Sequence, residues 1–408
     1  MQSLNDVLKA IMKGKSLIEK ENYLFNIRFA PVFFMWQFKK NSDSDSTESS
    51  EVKFEGNLAI CGEYAFRSSA MNNDLLYFWD LESGSYEVFC AQPDCKHQTY
   101  SENPDTKCTA ASPDGTIYDY AFTYNNKLYS ICSSNLNEFI IYEADTDGLN
   151  RKKVFTSESS FSTMIYPYFI DGNLVFVGTK YNVDDLGNQN FTGEYYLCSL
   201  NFDDWSYTEL ADLGEENKVI FSMNSLYIYE NNVYIGLIEN NDDEYISKYM
   251  SYDLSGNSSK KLIKTDDDLG IDSYFDSEML YSLLDDNDNS KVYSFDLNSQ
   301  ESELLFEIDR YVYEVYKKDD DVFCLYDYGA SDSTEISGAL VYSLKNNEIT
   351  LEKEFDDDFY LGIEAHISDV HIILYQNSEQ DSFGILSDED FWSLNFENAQ
   401  FCFEQLEY

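Results

Sequence analysis

Polar turns followed by short apolar strands with period-two alternation recur along most of the chain. The first recurring pattern is a two- or three-residue polar turn leading into an aliphatic–aromatic pair. It occurs at Gly56-Asn57-Leu58, Asn125-Asn126-Lys127-Leu128-Tyr129, Asp171-Gly172-Asn173-Leu174 and Asn231-Asn232-Val233-Tyr234. Asp276 to Tyr281, Asp319 to Phe323, and Ser368-Asp369 before Ile372 continue it. Gly and Asn tolerate the positive φ of tight hairpin turns, so each instance predicts a hairpin.

The second pattern is an aromatic-rich strand closing on a polar residue and, in most copies, Leu. Tyr77-Phe-Trp-Asp-Leu81, Ile141 to Ala144, Tyr196 to Leu200 and Met250-Ser-Tyr-Asp-Leu254 carry it, followed by Tyr293-Ser-Phe-Asp-Leu297, Val341 to Leu344 and Phe391-Trp-Ser-Leu394. Successive copies end 43 to 63 residues apart. Units of roughly 50 residues with about four short strands each predict an all-β chain, a β-propeller of about seven four-stranded blades, with six or eight as neighbouring counts. Candidate inner strands lie between the patterns, at Ile117–Phe122, Tyr166–Phe169 and Ser225–Tyr229. Two packed β-sandwiches would match the strand content but not the even spacing. The five prolines suit paired central strands.

Composition narrows the function. The 408 residues carry 76 Asp+Glu against 27 Lys+Arg, a net charge of −49. That excludes nucleic acid as a partner, since phosphate recognition needs a basic face. The 34 Tyr, 29 Phe and 4 Trp exclude a disordered acidic chain. No apolar run reaches 18 residues, so no membrane-spanning helix is predicted. Acidic clusters fall where strands should stop, at 240–244, 266–268, 285–289, 319–321 and 356–358. They read first as solubilising loops, with a rim Ca²⁺ site as the functional reading. Glu143-Ala-Asp145-Thr-Asp147-Gly148 resembles the start of a calcium loop, but Val154 stands where a bidentate Glu is needed. A turn before a strand at Lys152–Phe155 is the better expectation.

The first 40 residues differ, with seven Lys/Arg and three Asp/Glu. Ser3 and Asp6 match a capping box, and Leu4, Val7, Leu8, Ile11 and Met12 follow helical spacing, predicting a basic amphipathic leader over 1–40. An apolar patch from Phe29 to Phe38 is too short to span a bilayer. Residues 41–53 form a Ser/Asp-rich linker, and 54–408 the propeller. The readings of the leader are a frayed segment, a peripheral membrane attachment, or an incorrectly chosen start that hides an export signal.

Of eight cysteines, Cys61, Cys132, Cys198, Cys324 and Cys402 lie singly in apolar strands and are expected in the core. Cys90, Cys95, His97 and Cys108 stand apart, in an insertion at 90–115 that has turn residues but no apolar pattern. Three thiolates and an imidazole complete a tetrahedral Zn²⁺ shell, and such a shell can fold a loop too small to fold alone. With no ligand position spare, the metal would be structural. A disulfide with one Cys left free, or neither arrangement, remains open beside it.

Phe89-Cys-Ala-Gln-Pro-Asp-Cys-Lys-His97 followed by Cys108 resembles a segment of acidic β-propeller proteins of clostridia-type Gram-positive bacteria. The Trp79-Asp-Leu-Glu-Ser-Gly84 turn, the Asn-Asn-Lys-Leu-Tyr element and the Asp-Thr-Asp-Gly-Leu-Asn element are similar to that group and, more loosely, to TolB-like propellers. The resemblance covers about residues 54–408. It implies a propeller, commonly a lipid-anchored surface protein, and brings no activity; this chain lacks the lipid-attachment Cys.

The leading expectation is a non-enzymatic propeller that binds a protein or a glycan, extracytoplasmic, membrane-associated or at the cell surface, and monomeric. A cytoplasmic location is the alternative. The other function classes are a carbohydrate-active enzyme of glycosidase or lyase type using rim carboxylates, and an assembly scaffold. The chain has three His. Beyond His97 these are His366 and His371, which in one extended strand would point to opposite faces.

Overall fold

A computed structural model describes residues 52–403. Excepted are 56–57, 69–74, 135–137, 158–159, 162–165, 184–188, 216–217, 222–225, 242–243, 255–258, 266–272, 276, 285–288, 328–336, 356–359, 368–369 and 377–380. The predicted leader and most of the linker lie outside the described residues, as do the acidic clusters at 266–268 and 356–358 and most of that at 285–289.

The chain is all-β and forms a β-propeller. Four antiparallel sheets have four strands each. One is Ile117–Tyr124, Lys127–Ser133, Phe139–Asp145 and Lys152–Thr156. The others cover residues 273–308, 311–354 and 360–403, and a five-stranded sheet covers 219–265. The remaining strands, between 52 and 88 and between 160 and 215, share one ten-stranded sheet. The described residues thus form five separate blade-like sheets and one large sheet, where seven separate sheets were expected. The cause is the strand Val52–Glu55, which pairs with Leu58–Cys61 on one side and Tyr168–Ile170 on the other. It thereby joins two inner edges that a separate-blade arrangement leaves apart.

The recurring patterns have local physical causes. Asn125 and Asn126 (φ 48° and 58°), like Asp171 and Gly172 (φ 48° and 78°), are the positive-φ pairs of two-residue hairpin turns. In the second pattern the Asp organises the turn that follows it. Asp80 Oδ1 accepts hydrogen bonds from the backbone of Glu82 and Ser83 at 3.0 and 2.9 Å, and Asp296 repeats this with Asn298 and Ser299. The Leu that closes the pattern donates its N–H to the neighbouring hairpin turn: Leu81 to Glu63 O, Leu254 to Asn231 O, Leu297 to Ser277 O and Leu344 to Asp320 O, at 2.7–3.0 Å. Leu81 and Leu297 are buried.

The last copy departs from the strand reading. Asp388–Trp392 is a short helix, and the fourth strand of that sheet is Gln400–Phe403. Ser387 caps the helix by accepting from Asp390 N, and three acids occupy its first turn, where the helix dipole favours negative charge.

The core lies between sheets. Along Lys127–Ser133, Leu128 and Cys132 pack with Phe66, Leu76 and Phe78 of the first strands, while Tyr129 and Ile131 face Phe169, Leu174 and Phe176. Along Asp321–Asp327, Val322, Cys324 and Tyr326 pack towards Leu280 and Val292, and Phe323 and Leu325 towards Leu361 and Ile373. The succession closes where Ile372 and Ile385 meet Leu58, Ile60 and Trp79. Cys132, Cys198 and Cys324 are buried as expected and Cys61 is half-buried; the side chain of Cys402 lies outside the described residues.

A register shift between Tyr118 and Tyr120 takes Asp119 out of the ladder, and the Ser133 hydroxyl donates to its Oδ2 at 2.6 Å. Burial of this carboxyl, offset in part by that bond, pushes its pKa up to about 7. Between pH 4 and 7 the folded chain keeps a proton that the unfolded chain has lost, so this group lowers stability as pH rises through that window. Asp119→Asn should shrink the loss of stability between pH 5 and pH 8 by roughly 1–3 kcal/mol, read by denaturant titration at both values. Equal losses in the two proteins would contradict it.

Candidate metal centre

The insertion leaves the ten-stranded sheet after the strand Ser85–Val88 and enters the next sheet at Ile117. Its entry and exit are fixed to the propeller. Phe89 N donates to Leu76 O at 2.9 Å, Leu76 N to Ala110 O at 2.8 Å, and Leu75 bridges to Ala111. Arg151 donates to the carbonyls of Ala111 (2.8 Å) and Thr109, and the Tyr118 hydroxyl adds a bond to Ala111 O at 3.0 Å. Ala91 N reaches across to Thr109 Oγ1 at 3.1 Å, tying the two ends together.

Between these ends the chain makes an arm. Cys95 N donates back to Gln92 O, with Pro93 second in the turn and Asp94 third at φ 58°. Proline followed by a positive-φ residue is the signature of a type II turn. His97 also has positive φ, 51°, and its N–H points at Cys95 Sγ at 3.4 Å. Polar bonds then knit the tip: Thr99 N to the Glu102 carboxylate at 2.8 Å, Thr106 N to Asn103 O at 2.9 Å, and Thr106 Oγ1 to Gln98 O at 3.1 Å.

The fold brings all four sequence-predicted ligands together. One ligand atom from each of Cys90, Cys95, His97 and Cys108 lies within 4.8 Å of every other. Cys90 and Cys108 Sγ are 3.7 Å apart, and Cys108 Sγ is 3.8 Å from His97 Nδ1. Tetrahedral Zn–S bonds of about 2.3 Å place adjacent sulfurs about 3.8 Å apart, so this spacing fits a shared cation. It is far beyond a disulfide bond of about 2.05 Å, and the three cysteines are free. Only Cys108 is fully buried; the other three are half-buried.

Electrostatics sharpen the picture. Burial opposes charge on Cys90, but hydrogen bonds from the Gln92 backbone, from the Thr109 side chain and backbone, and from Cys95 bring its pKa down to about 6. Burial and then the neighbouring charge of Cys90 push Cys108 up to about 12. One thiolate is thus stabilised by the protein, and its charge opposes another beside it. A cation between the sulfurs would remove that opposition.

The other expectations resolve differently. Asp145 of the calcium-like segment pairs with Lys127 Nζ at 2.7 Å and accepts from Asn150, and Asp145 to Gly148 is a turn before Lys152–Thr156. His366 and His371 do not share a strand. They lie on the adjacent antiparallel strands Tyr360–Ile367 and Val370–Gln376 as register partners. His371 is buried, stacks on Phe391 at 3.9 Å and bonds Asp388 Oδ1 at 3.0 Å. Asp388 also accepts from Trp392 Nε1 and pairs with Lys318. Arg151 and Thr109 escaped the sequence reading. Arg151 stands 36 residues beyond the loop's end with no pattern linking it to the loop; Thr109 adjoins Cys108, the one available signal.

No family model matches the chain, and no curated protein matches it. Solved structures resemble it. An oligogalacturonate lyase in complex with manganese superposes with a TM-score of 0.50 at 10% identity, over 83% of this chain and 90% of that one. The oligogalacturonate lyase of Vibrio parahaemolyticus gives 0.49 at 8% identity, over 84% and 92%. Puromycin hydrolase gives 0.48 at 8% identity over 84% of this chain, which spans 52% of that enzyme. Identities this low show a shared fold and nothing of activity.

Replacing Arg151 with Met would leave two loop carbonyls without their charged donor, a loss of about 1–3 kcal/mol. Limited proteolysis should then cut within 90–115 several-fold faster than in the parent, with fragments mapped by mass spectrometry. An unchanged rate would show that the clasp does not hold the loop.

Proposed function

We propose that this protein is a binding propeller for a protein or glycan partner, with the 90–115 loop folded around one structural zinc ion. The observation that carries the reading is the convergence of Cys90, Cys95, His97 and Cys108 within 4.8 Å on a segment with little core of its own. Three soft sulfurs and one imidazole favour zinc over the harder manganese or calcium. The shell uses all four tetrahedral positions, so the ion supports structure instead of activating water. In this reading the ten-stranded sheet counts as two blades, giving seven units of four or five strands.

A charge of −49 favours cationic partner surfaces and repels polyanions. The basic residues 1–40 would hold a monomer to an anionic membrane surface outside the cytoplasm, in keeping with the resemblance to surface propellers of clostridia-type bacteria.

A carbohydrate-active enzyme working through carboxylates is the second reading. In its favour, Glu194, Asp212, Glu215 and Glu239 line a cavity of about 350 Å³. Neutral oligosaccharides suit that lining better than acidic ones.

Metal analysis of protein purified without added metal should give about one zinc per chain, and Cys95→Ser should lose it. A metal-free chain with an intact disulfide would overturn the zinc reading. Peptide and glycan arrays test the binding role. Retention without turnover supports it, and release of new reducing ends from a retained neutral glycan would favour the enzyme.

A further inference from the structure

The four ligands do not sit on equivalent ground. Cys90 and Cys108 stand at the base of the loop. Cys90 N donates to Val88 O at 2.8 Å at the end of a strand, and Ala91 N bonds the Thr109 hydroxyl. Next to Cys108, the Thr109 carbonyl is held by Arg151. Cys95 and His97 ride on the arm beyond the Gln92–Cys95 turn, where Gln92, Lys96 and Gln98 flank them with half-buried or exposed side chains. The two base sulfurs are also in contact range, at 3.7 Å, and Cys90 is half-buried where Cys132, Cys198 and Cys324 are buried.

We propose that the loop is a peroxide-sensitive latch: oxidation joins Cys90 to Cys108, expels the metal and frees the arm carrying Cys95 and His97. The inference rests on the metal-site reading above. In the first step the Cys90 thiolate attacks one oxygen of hydrogen peroxide. The O–O bond breaks, the sulfur becomes a sulfenic acid, and the departing hydroxide takes a proton to leave as water. In the second step the Cys108 sulfur attacks that sulfenic sulfur, the S–OH bond breaks, and a second water forms after protonation. Two electrons pass from the sulfur pair to the peroxide, and the zinc leaves as Zn²⁺ with its charge unchanged.

Cys95 and His97 alone offer two ligands on a short arm, too few to retain a structural zinc. The base stays closed because the new bond joins two positions already fixed to the sheet. Only the arm, residues 92–107, changes its order. Oxidation therefore alters the surface that the loop presents while leaving the propeller folded.

The test uses the full-length zinc protein titrated with hydrogen peroxide, with zinc release followed by a chromophoric chelator and disulfides mapped by mass spectrometry. The proposal predicts about one zinc released and one Cys90–Cys108 bond per peroxide consumed, an unchanged strand signal by circular dichroism, and recovery on adding dithiothreitol with zinc. Zinc retained through several equivalents of peroxide, or a bond mapping to Cys95, would overturn it. If the purified protein holds no metal, the zinc reading fails separately, and the same mapping on the metal-free chain still decides the pairing. Cys95→Ser should bind no zinc yet form the Cys90–Cys108 bond at a comparable rate, and failure to form it would count against the latch.

Discussion

Every sheet in this molecule has two apolar faces and can cover neither alone. A strand such as Lys127–Ser133, buried on both sides, sends alternate residues to the two neighbouring sheets. Each sheet therefore depends on the one before it and the one after it. The dependence runs round to the contact of Ile372 and Ile385 with Leu58 and Trp79. Covering both faces also explains the composition. Large rings fill the wedge between sheets, as where Phe122 meets Phe54, Phe169 and Phe202 at centroid distances of 4.8–5.7 Å. Acidic residues are displaced to where no neighbour packs, including the exposed outer strand at Glu348–Glu354.

The same constraint governs the place of Val52–Glu55. Val52 and Phe54 are buried in a cluster rich in rings from sequence-distant strands, Phe54 against Tyr120 and Phe122, and the strand's backbone is paired on both sides. It merges what would be two sheets into one. The short residue run before Gly56 carries no turn signal that distinguishes such a strand from a linker end, so pairing with Tyr168–Ile170 could not be read from it. Long-range pairing depends on which edge is open in three dimensions, and period-two patterns are silent about that.

Where a feature was legible, it rested on local chemistry. The Asn-Asn and Asp-Gly turns specify their own backbone angles, and Asp80 and Asp296 fold the turns after them with their own carboxylates. Phe391-Trp-Ser-Leu394 misleads because its aromatics imitate a strand, while the deciding signal lies just before it in Ser387 and three acids. The metal ligands were legible because residue type and loop poverty coincide: a segment with no apolar pattern and little core needs another source of order. Their mutual distances, the division between base and arm, and the Arg151 clasp depend on how the ends are docked, which only the fold supplies. His366 and His371 illustrate the same limit, since their spacing reads as one strand while the fold sets them on two adjacent strands as register partners.

The loop thus reaches order by a different route from the sheets, through ligand chemistry in place of shared apolar faces. X-ray absorption at the zinc edge of the purified protein tests this most directly. The account predicts three sulfur neighbours at about 2.3 Å and one nitrogen at about 2.0–2.1 Å. A shell of oxygen and nitrogen only, or no zinc in a protein whose loop is nonetheless ordered, would contradict it.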